Sequence, residues 1–174
     1  METGFSHIPV MLREVLEGLS PRAGGIYADG TLGGGGHSEE ILRLIGETGQ
    51  LYGIDRDPAA LKAATQRLRA YPGFHPIHGN FHDVKELLGE VKLDGGLLDL
   101  GVSSHQLDTP ERGFSYHEEA PLDMRMDTSQ GETAADWLNQ TPEKEITQAL
   151  YDYADERWAA RIASLIIEMR RERP

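Results

Sequence analysis

Four consecutive glycines, Gly33 to Gly36, sit between a strand-like run, Gly25-Ile26-Tyr27-Ala28, and a helix-like run, Glu39 to Ile45. That placement constrains the chain more than any other feature. A glycine-rich turn between strand and helix lets backbone approach a ligand closely and aims free N–H groups at it. A second strand, Gln50 to Ile54, then ends on Asp55. The acid lies about 20 residues beyond the glycines, the spacing at which a carboxylate reaches a ribose hydroxyl. The chain therefore opens with a nucleoside-binding half-fold.

Two common phosphate-binding patterns fail. Ser38 stands where G-x-G-x-x-G wants its last glycine, and His37 stands where a P-loop wants lysine. No cationic residue occurs in the turn, whereas a diphosphate wants stronger compensation. An acid leads the glycines instead, as Asp29-x-Thr31-x-Gly33-x-Gly35. This resembles the first motif of S-adenosylmethionine-dependent methyltransferases, whose ligand is a cationic sulfonium that an acid suits.

The rest of the chain reads as alternating elements. His7 to Leu16 reads as an opening helix with Pro9 in its first turn. Ala60, Leu61, Ala64 and Leu68 share one helical face. Phe74 to Gly79 is a short third strand whose proline suits a sheet edge. Val84 to Leu88 is a brief helix, and Asp94 to Leu100 is a fourth strand. Such alternation argues for a parallel α/β sheet, with its site at the carboxyl ends of the strands. The glycines with His37, Asp55, Phe81 and Asp99 follow strands one to four in turn.

From Gly101 to Glu132 no period persists, and so long an irregular stretch is usually a functional loop. Helices resume at Thr133: a short piece over Ala134 to Leu138, a second start at Thr141-Pro142-Glu143, and an apolar stripe of Trp158, Ile162, Leu165, Ile166 and Met169. The expected division is a cofactor-binding domain over 1–132 and a helical, inserted subdomain over 133–174. The sheet stops after four strands, which leaves an open edge. We expect a piece of a longer polypeptide, or another covering for that edge, with self-association and little or no methylation activity for the piece alone.

Composition narrows the partners. The 174 residues carry 17 basic and 29 acidic side chains, a formal net charge of −12. An acidic chain is a poor general nucleic-acid binder, because phosphate neutralisation supplies most non-specific affinity. With no cysteine there is no disulfide framework and no cysteine zinc site. His75, His78 and His82 do not make a metal site, since His75 and His78 face opposite sides of a strand. No signal peptide and no membrane span is evident, so a cytoplasmic protein is expected.

Long motifs after strand four complete the pattern: Asp99-Leu100-Gly101-Val102-Ser103-Ser104-His105-Gln106-Leu107-Asp108, then Arg112-Gly113-Phe114-Ser115-Tyr116, then Pro121 to Asp127. With Asp29-Gly30-Thr31-Leu32-Gly33, Gly35-Gly36-His37-Ser38 and Asp55-Arg56-Asp57-Pro58, they resemble a bacterial methyltransferase family, RsmH/MraW. That family methylates the exocyclic N4 of a cytidine in the decoding centre of 16S ribosomal RNA. The resemblance covers essentially the whole chain, although the family is longer.

The resemblance implies a Rossmann-like fold with an inserted helical subdomain, S-adenosyl-L-methionine as cofactor, and 16S ribosomal RNA, within the small subunit, as partner. Gly35, Gly36 and His37 would line its methionine end, Asp55 the ribose and Phe81 the adenine, with Asn80 and Asp83 as polar neighbours. Asp99 and Gln106 would close the reacting end. Asp99, with the Leu100 carbonyl, is the candidate to hold the amine. The prolines and stacking aromatic of other amino-methyltransferases are missing after Asp99, and Phe114 or Tyr116 could supply the ring. Arg157 and Arg161 share a helical face that could meet RNA or simply solvent. The rival readings are a nucleotide-dependent oxidoreductase half-fold and a catalytically inactive cofactor-binding fragment.

Overall fold

A helical crossover between strands lets them lie parallel in one sheet, and the structure is built that way. It is a computed structural model describing residues 9–173. Strands β1 (Ile26–Asp29), β2 (Gln50–Asp55), β3 (Phe74–His78) and β4 (Gly95–Leu97) form one sheet in the order β3-β2-β1-β4. Every pair is parallel. Helix α1 (Leu12–Leu19) precedes β1, and α2 (Gly36–Ile45), α3 (Pro58–Leu68) and α4 (Val84–Leu88) make the crossovers. The chain steps outward from β1 to β3, then returns to lay β4 on the other side of β1. That reversal puts the topological switch point between β1 and β4, and ligands of open α/β sheets bind at the carboxyl ends of strands at such a point.

The core lies beside β1 and β2. Tyr27, Leu32, Ile41, Leu42, Ile45, Leu51, Ala64 and Leu68 form its buried cluster. Each fully buried aliphatic side chain here contributes about 1.5–3 kcal/mol. On α3, Ala60, Ala64 and Leu68 are buried at successive turns while Leu61 is half-buried, so the expected face is the packed one. Asp57 caps α3, its side chain accepting from the Ala59 N–H, and Pro58 occupies the first turn.

Several boundaries differ from expectation. Helix α1 starts at Leu12, because Met11 takes a left-handed conformation (φ 52°) that breaks the helix behind it. Pro9 therefore precedes the helix, and His7 and Ile8 lie outside the described residues. Strand β4 is three residues long, not seven. Its last ladder bond runs from the Gly30 N–H to the Leu97 carbonyl, and the Asp99 N–H turns instead to the Thr31 hydroxyl. Among the described residues no strand pairs with the outer edge of β4, and Leu98, Leu100 and Val102 beyond it are exposed. Pro76 sits in β3, at the opposite edge, where a missing N–H costs no ladder bond.

The loop after β4 is irregular apart from α5 (Ser104–Leu107) and one 3-10 turn over Pro110–Arg112. Helices α6 (Ala134–Gln140), α7 (Glu143–Ala154) and α8 (Ala159–Met169) follow. Pro142, not Thr141, takes the N-cap position of α7; Thr141 ends α6 and its carbonyl accepts from Arg170 at 2.8 Å. The stripe expected on α8 is not its buried face. Ala159 and Ala163 are buried, whereas Trp158 and Met169 are each 67% exposed. Small residues one turn apart let helices approach closely, which turns the bulkier side chains outward.

Two compact units result. One runs to Asp108 and includes Met126–Ser129; the other holds Thr109–Arg125 and the chain from Gln130 onward. The division thus falls earlier than the expected 132, and the chain returns briefly to the first unit. Among the described residues no helix is long and apolar enough to cross a membrane.

Gly73 offers a sharp test of the sheet. A Cβ there would lie 2.1 Å from the Gly49 carbonyl oxygen, which is backbone and cannot swing aside. Gly73→Ala should destabilise the fold by about 3 kcal/mol, the upper range for overpacking. Urea denaturation showing an unchanged midpoint would contradict that packing.

Candidate cofactor site

The turn after β1 is organised by a buried carboxylate. Asp29 is 1% exposed; it accepts the Thr31 N–H at 3.1 Å and the Ser38 hydroxyl at 2.7 Å. Both partners are neutral, and burial pushes its pKa above the ordinary 3.8 despite those bonds. The Thr31 hydroxyl in turn accepts the Asp99 N–H at 2.7 Å, tying the exit of β4 to the glycine turn.

Asp55 ends β2 and clasps the same turn from the other side. One oxygen accepts the Gly33 N–H at 2.8 Å and the other accepts the Asp57 N–H at 2.9 Å. Gly33 meets it with φ +51°, a conformation glycine adopts without strain. Asp55 is half-buried, and desolvation raises its pKa. A carboxylate offers about four acceptor directions, so these backbone bonds do not exhaust its capacity to accept.

The remaining expected residues take places around this clasp. Gly35 and Gly36 open α2, with His37 in its first turn. The His37 ring is 8% exposed; its Nε2–H donates to the Val10 carbonyl at 3.0 Å, and its Nδ1 lies 3.9 Å from an Asp99 carboxylate oxygen. The Asp99 side chain is 53% exposed, hence open to a ligand. Phe81 begins a 3-10 turn after β3 and packs over Gly30, where an added Cβ would come within 2.9 Å of its own. Asn80 caps that turn by accepting the His82 N–H, and Asp83 pairs with His82 at 2.7 Å. Gln106 is buried: its Oε1 accepts the Ser103 N–H at 2.9 Å and its Nε2–H donates to Asp57 at 3.0 Å. Its amide is thus engaged within the protein.

All of these residues belong to the first unit. The loop aromatics do not. Phe114 lies under the Arg112 guanidinium, 5.9 Å from carbon to ring centroid, and Tyr116 is 92% exposed beside His117, all in the second unit. Arg157 and Arg161 are exposed there too. In Asp123 to Asp127, Asp123 grips Arg125 at 2.6 Å, which lowers its pKa, while Asp127 lies 3.3 Å from His78 within the first unit. The three spaced histidines have separate partners: His75 stacks on Tyr52, His78 meets the Arg56 carbonyl, and His82 meets Asp83.

Thr31 and Asp57 stand inside the sequence motifs without a role of their own there, although both hold the turns together. Asp57 was detectable, because Asp-Pro before a helical face is a cap followed by a first-turn proline. Thr31 carried no local signal; its role depends on β4 lying beside β1. The donor set suits a cationic nucleoside: an acidic ribose partner, an aromatic ring, an open carboxylate, and no basic side chain in the glycine turn.

Asp29 makes a pH prediction. Its folded pKa is raised, so its favourable contribution is complete below the ordinary carboxylate range and is lost as pH rises through the folded value. Asn at this position keeps a carbonyl for the Thr31 N–H and carries no charge. The melting temperature of Asp29→Asn minus that of wild type should therefore grow from pH 4 to pH 8. A difference that stays flat would mean that ionising Asp29 carries no penalty.

The protein is 57% identical over 174 residues to ribosomal RNA small subunit methyltransferase H of Trichlorobacter lovleyi, across 98% of this chain and 56% of that protein. It is 53% identical over 174 residues to the protein of the same name from Geobacter sulfurreducens, with the same coverage. The chain thus spans a little over half the length of these relatives. Residues 4–174 match the MraW methylase family. Matched over residues 4–174, and more than half identical to one of these relatives across 98% of its own length, the chain belongs to the MraW methylase family.

Proposed function

We propose that this chain forms the S-adenosyl-L-methionine-binding part of a methyltransferase acting on the N4 amine of a cytidine in the decoding centre of 16S ribosomal RNA, in the small subunit. The observation that carries the reading is Asp55. Its carboxylate is seated by two backbone N–H groups beside a glycine turn that contains no cation. That arrangement favours a neutral ribose carrying a cationic group over a diphosphate.

The bound cofactor would supply an electrophilic methyl group. The chain's own residues bind and orient. Asp55 accepts ribose hydroxyls, and Phe81 offers a ring to the purine. Gly35, Gly36 and His37 line the amino-acid end. Asp99, exposed and anchored through its own N–H to Thr31, is the catalytic residue. It accepts an N–H of the incoming amine and so frees the nitrogen lone pair from conjugation with the ring. The Leu100 carbonyl is the second acceptor. Gln106 supports the pocket through the loop it anchors.

An oxidoreductase half-fold is disfavoured by Ser38. It stands at the position where a dinucleotide site wants a third glycine for close helix–strand packing, and it gives its hydroxyl to Asp29. Calorimetric titration of the chain with adenosylmethionine and with NAD separates the two readings; binding of NAD alone would overturn ours. Asp55→Ala should weaken adenosylmethionine by about one to two decades, through loss of a charge-assisted contact. In a protein of the relatives' full length, assayed on small ribosomal subunits, Asp99→Ala should lower kcat more than cofactor affinity. Equal losses would make Asp99 a plain ligand residue.

A further inference from the structure

Gln106 and Asp57 lie 49 residues apart in sequence and meet at 3.0 Å, both buried, at 5% and 3% exposure. Their orientations are fixed independently. On one side, Ser103 and Gln106 form a reciprocal capping box: the Gln106 Oε1 accepts the Ser103 N–H at 2.9 Å, and the Ser103 hydroxyl accepts the Gln106 N–H at 3.2 Å. The amide oxygen is thereby committed, and only the Nε2–H group can face Asp57. On the other side, one Asp57 oxygen caps α3 by accepting the Ala59 N–H at 2.9 Å, and the second faces Gln106. The Asp57 N–H meanwhile donates to Asp55. A continuous path of hydrogen bonds thus runs from the loop after β4, through Asp57, to the carboxylate that also holds Gly33.

We propose that Asp57 and Gln106 form a buried brace that fixes residues 101–108 against the Asp55 turn, so that cofactor affinity depends on Asp57 as a positioning residue. The Gln106 side chain is then a strut of the pocket wall. The bearing on cofactor affinity rests on the adenosylmethionine reading above; the brace itself does not. The physical reason is reach. Three loops, from three strand ends, must be held at fixed spacing for one small ligand, and exposed loops drift unless buried polar groups lock them. A hydrogen bond between an amide and a buried carboxylate is strong enough to do so, and breaking one partner leaves the other desolvated.

The committed orientations give a test by exchange of roles. In Asp57→Asn the new amide keeps its oxygen on the Ala59 N–H and turns its NH2 toward the Gln106 NH2, two donors face to face. In Gln106→Glu an oxygen still accepts the Ser103 N–H, and the other opposes the Asp57 carboxylate. When Asp57→Asn and Gln106→Glu are combined, the introduced amide donates its NH2 to the introduced carboxylate. That rebuilds the bond with donor and acceptor reversed and both caps intact.

Hydrogen–deuterium exchange over residues 101–108 of the ligand-free chain reads the brace directly. Each single variant should raise exchange there several-fold, and the double variant should restore the wild-type rate. Adenosylmethionine titration reads the consequence: each single variant should bind about tenfold more weakly, and the double variant should return to within about twofold of wild type. Exchange in the double variant no slower than in the worse single variant would overturn the brace. Rescued exchange with undiminished affinity in the single variants would overturn its bearing on the cofactor. A wild-type chain that binds no adenosylmethionine would overturn the cofactor reading, and the exchange rescue would still decide the brace.

Discussion

One carboxylate organises this site. Asp55 receives the N–H of Gly33 from one side and that of Asp57 from the other, so two turns from different strands share a single anchor. Backbone N–H groups at a glycine turn are usually free to meet a ligand. Here one of them is given to the protein's own acid, which sets the turn's shape before any ligand arrives. Desolvation opposes this, since burial raises the Asp55 pKa, and hydrogen bonds from the backbone, those of Asp57 and Gly33 foremost, work in the other direction. The outcome is a half-buried group with acceptor capacity to spare, positioned by backbone rather than by a flexible counter-ion.

Asp29 plays the complementary part inside. It is wholly buried and satisfied by neutral donors, so it shapes the turn and does no chemistry at its surface. Through Thr31 its influence reaches Asp99, the one carboxylate of the group that is open to solvent. Three acids at the ends of β1, β2 and β4 thus differ in burial and in task. The inner one folds the loop, the middle one ties two turns together, and the outer one stays open to solvent. A fourth, Asp57, is spent on capping α3 and receiving Gln106.

The helical unit shows how the same physics can mislead. Trp158, Leu165 and Met169 keep helical spacing and look like a core face, yet all three are exposed and the buried contacts fall on Ala159 and Ala163. Periodicity reports that a face is apolar, and it does not report which face is covered. Two alanines one turn apart admit a neighbouring helix more closely than bulky residues do. The shortening of β4 has a similar origin: Leu98 to Leu100 are apolar enough for a strand, but the Asp99 N–H is diverted to the hydroxyl of Thr31, far back in the chain.

Much of the architecture was legible in the chain because local rules suffice for it. Alternating periods, a glycine turn before a helix, an acid at the end of the next strand and a proline at a sheet edge specify a parallel sheet and the end at which its site lies. Gly35, Gly36, His37, Asp55, Phe81 and Asp99 could be nominated for the same reason: each stands at, or shortly after, the carboxyl end of a strand. What only the tertiary structure decided are the bonds between turns. Gly33 with Asp55, Thr31 with Asp99 and Asp57 with Gln106 join residues 22, 68 and 49 positions apart. No local propensity encodes such pairs, because they exist only once β2 and β4 flank β1 and bring the strand ends within hydrogen-bonding distance.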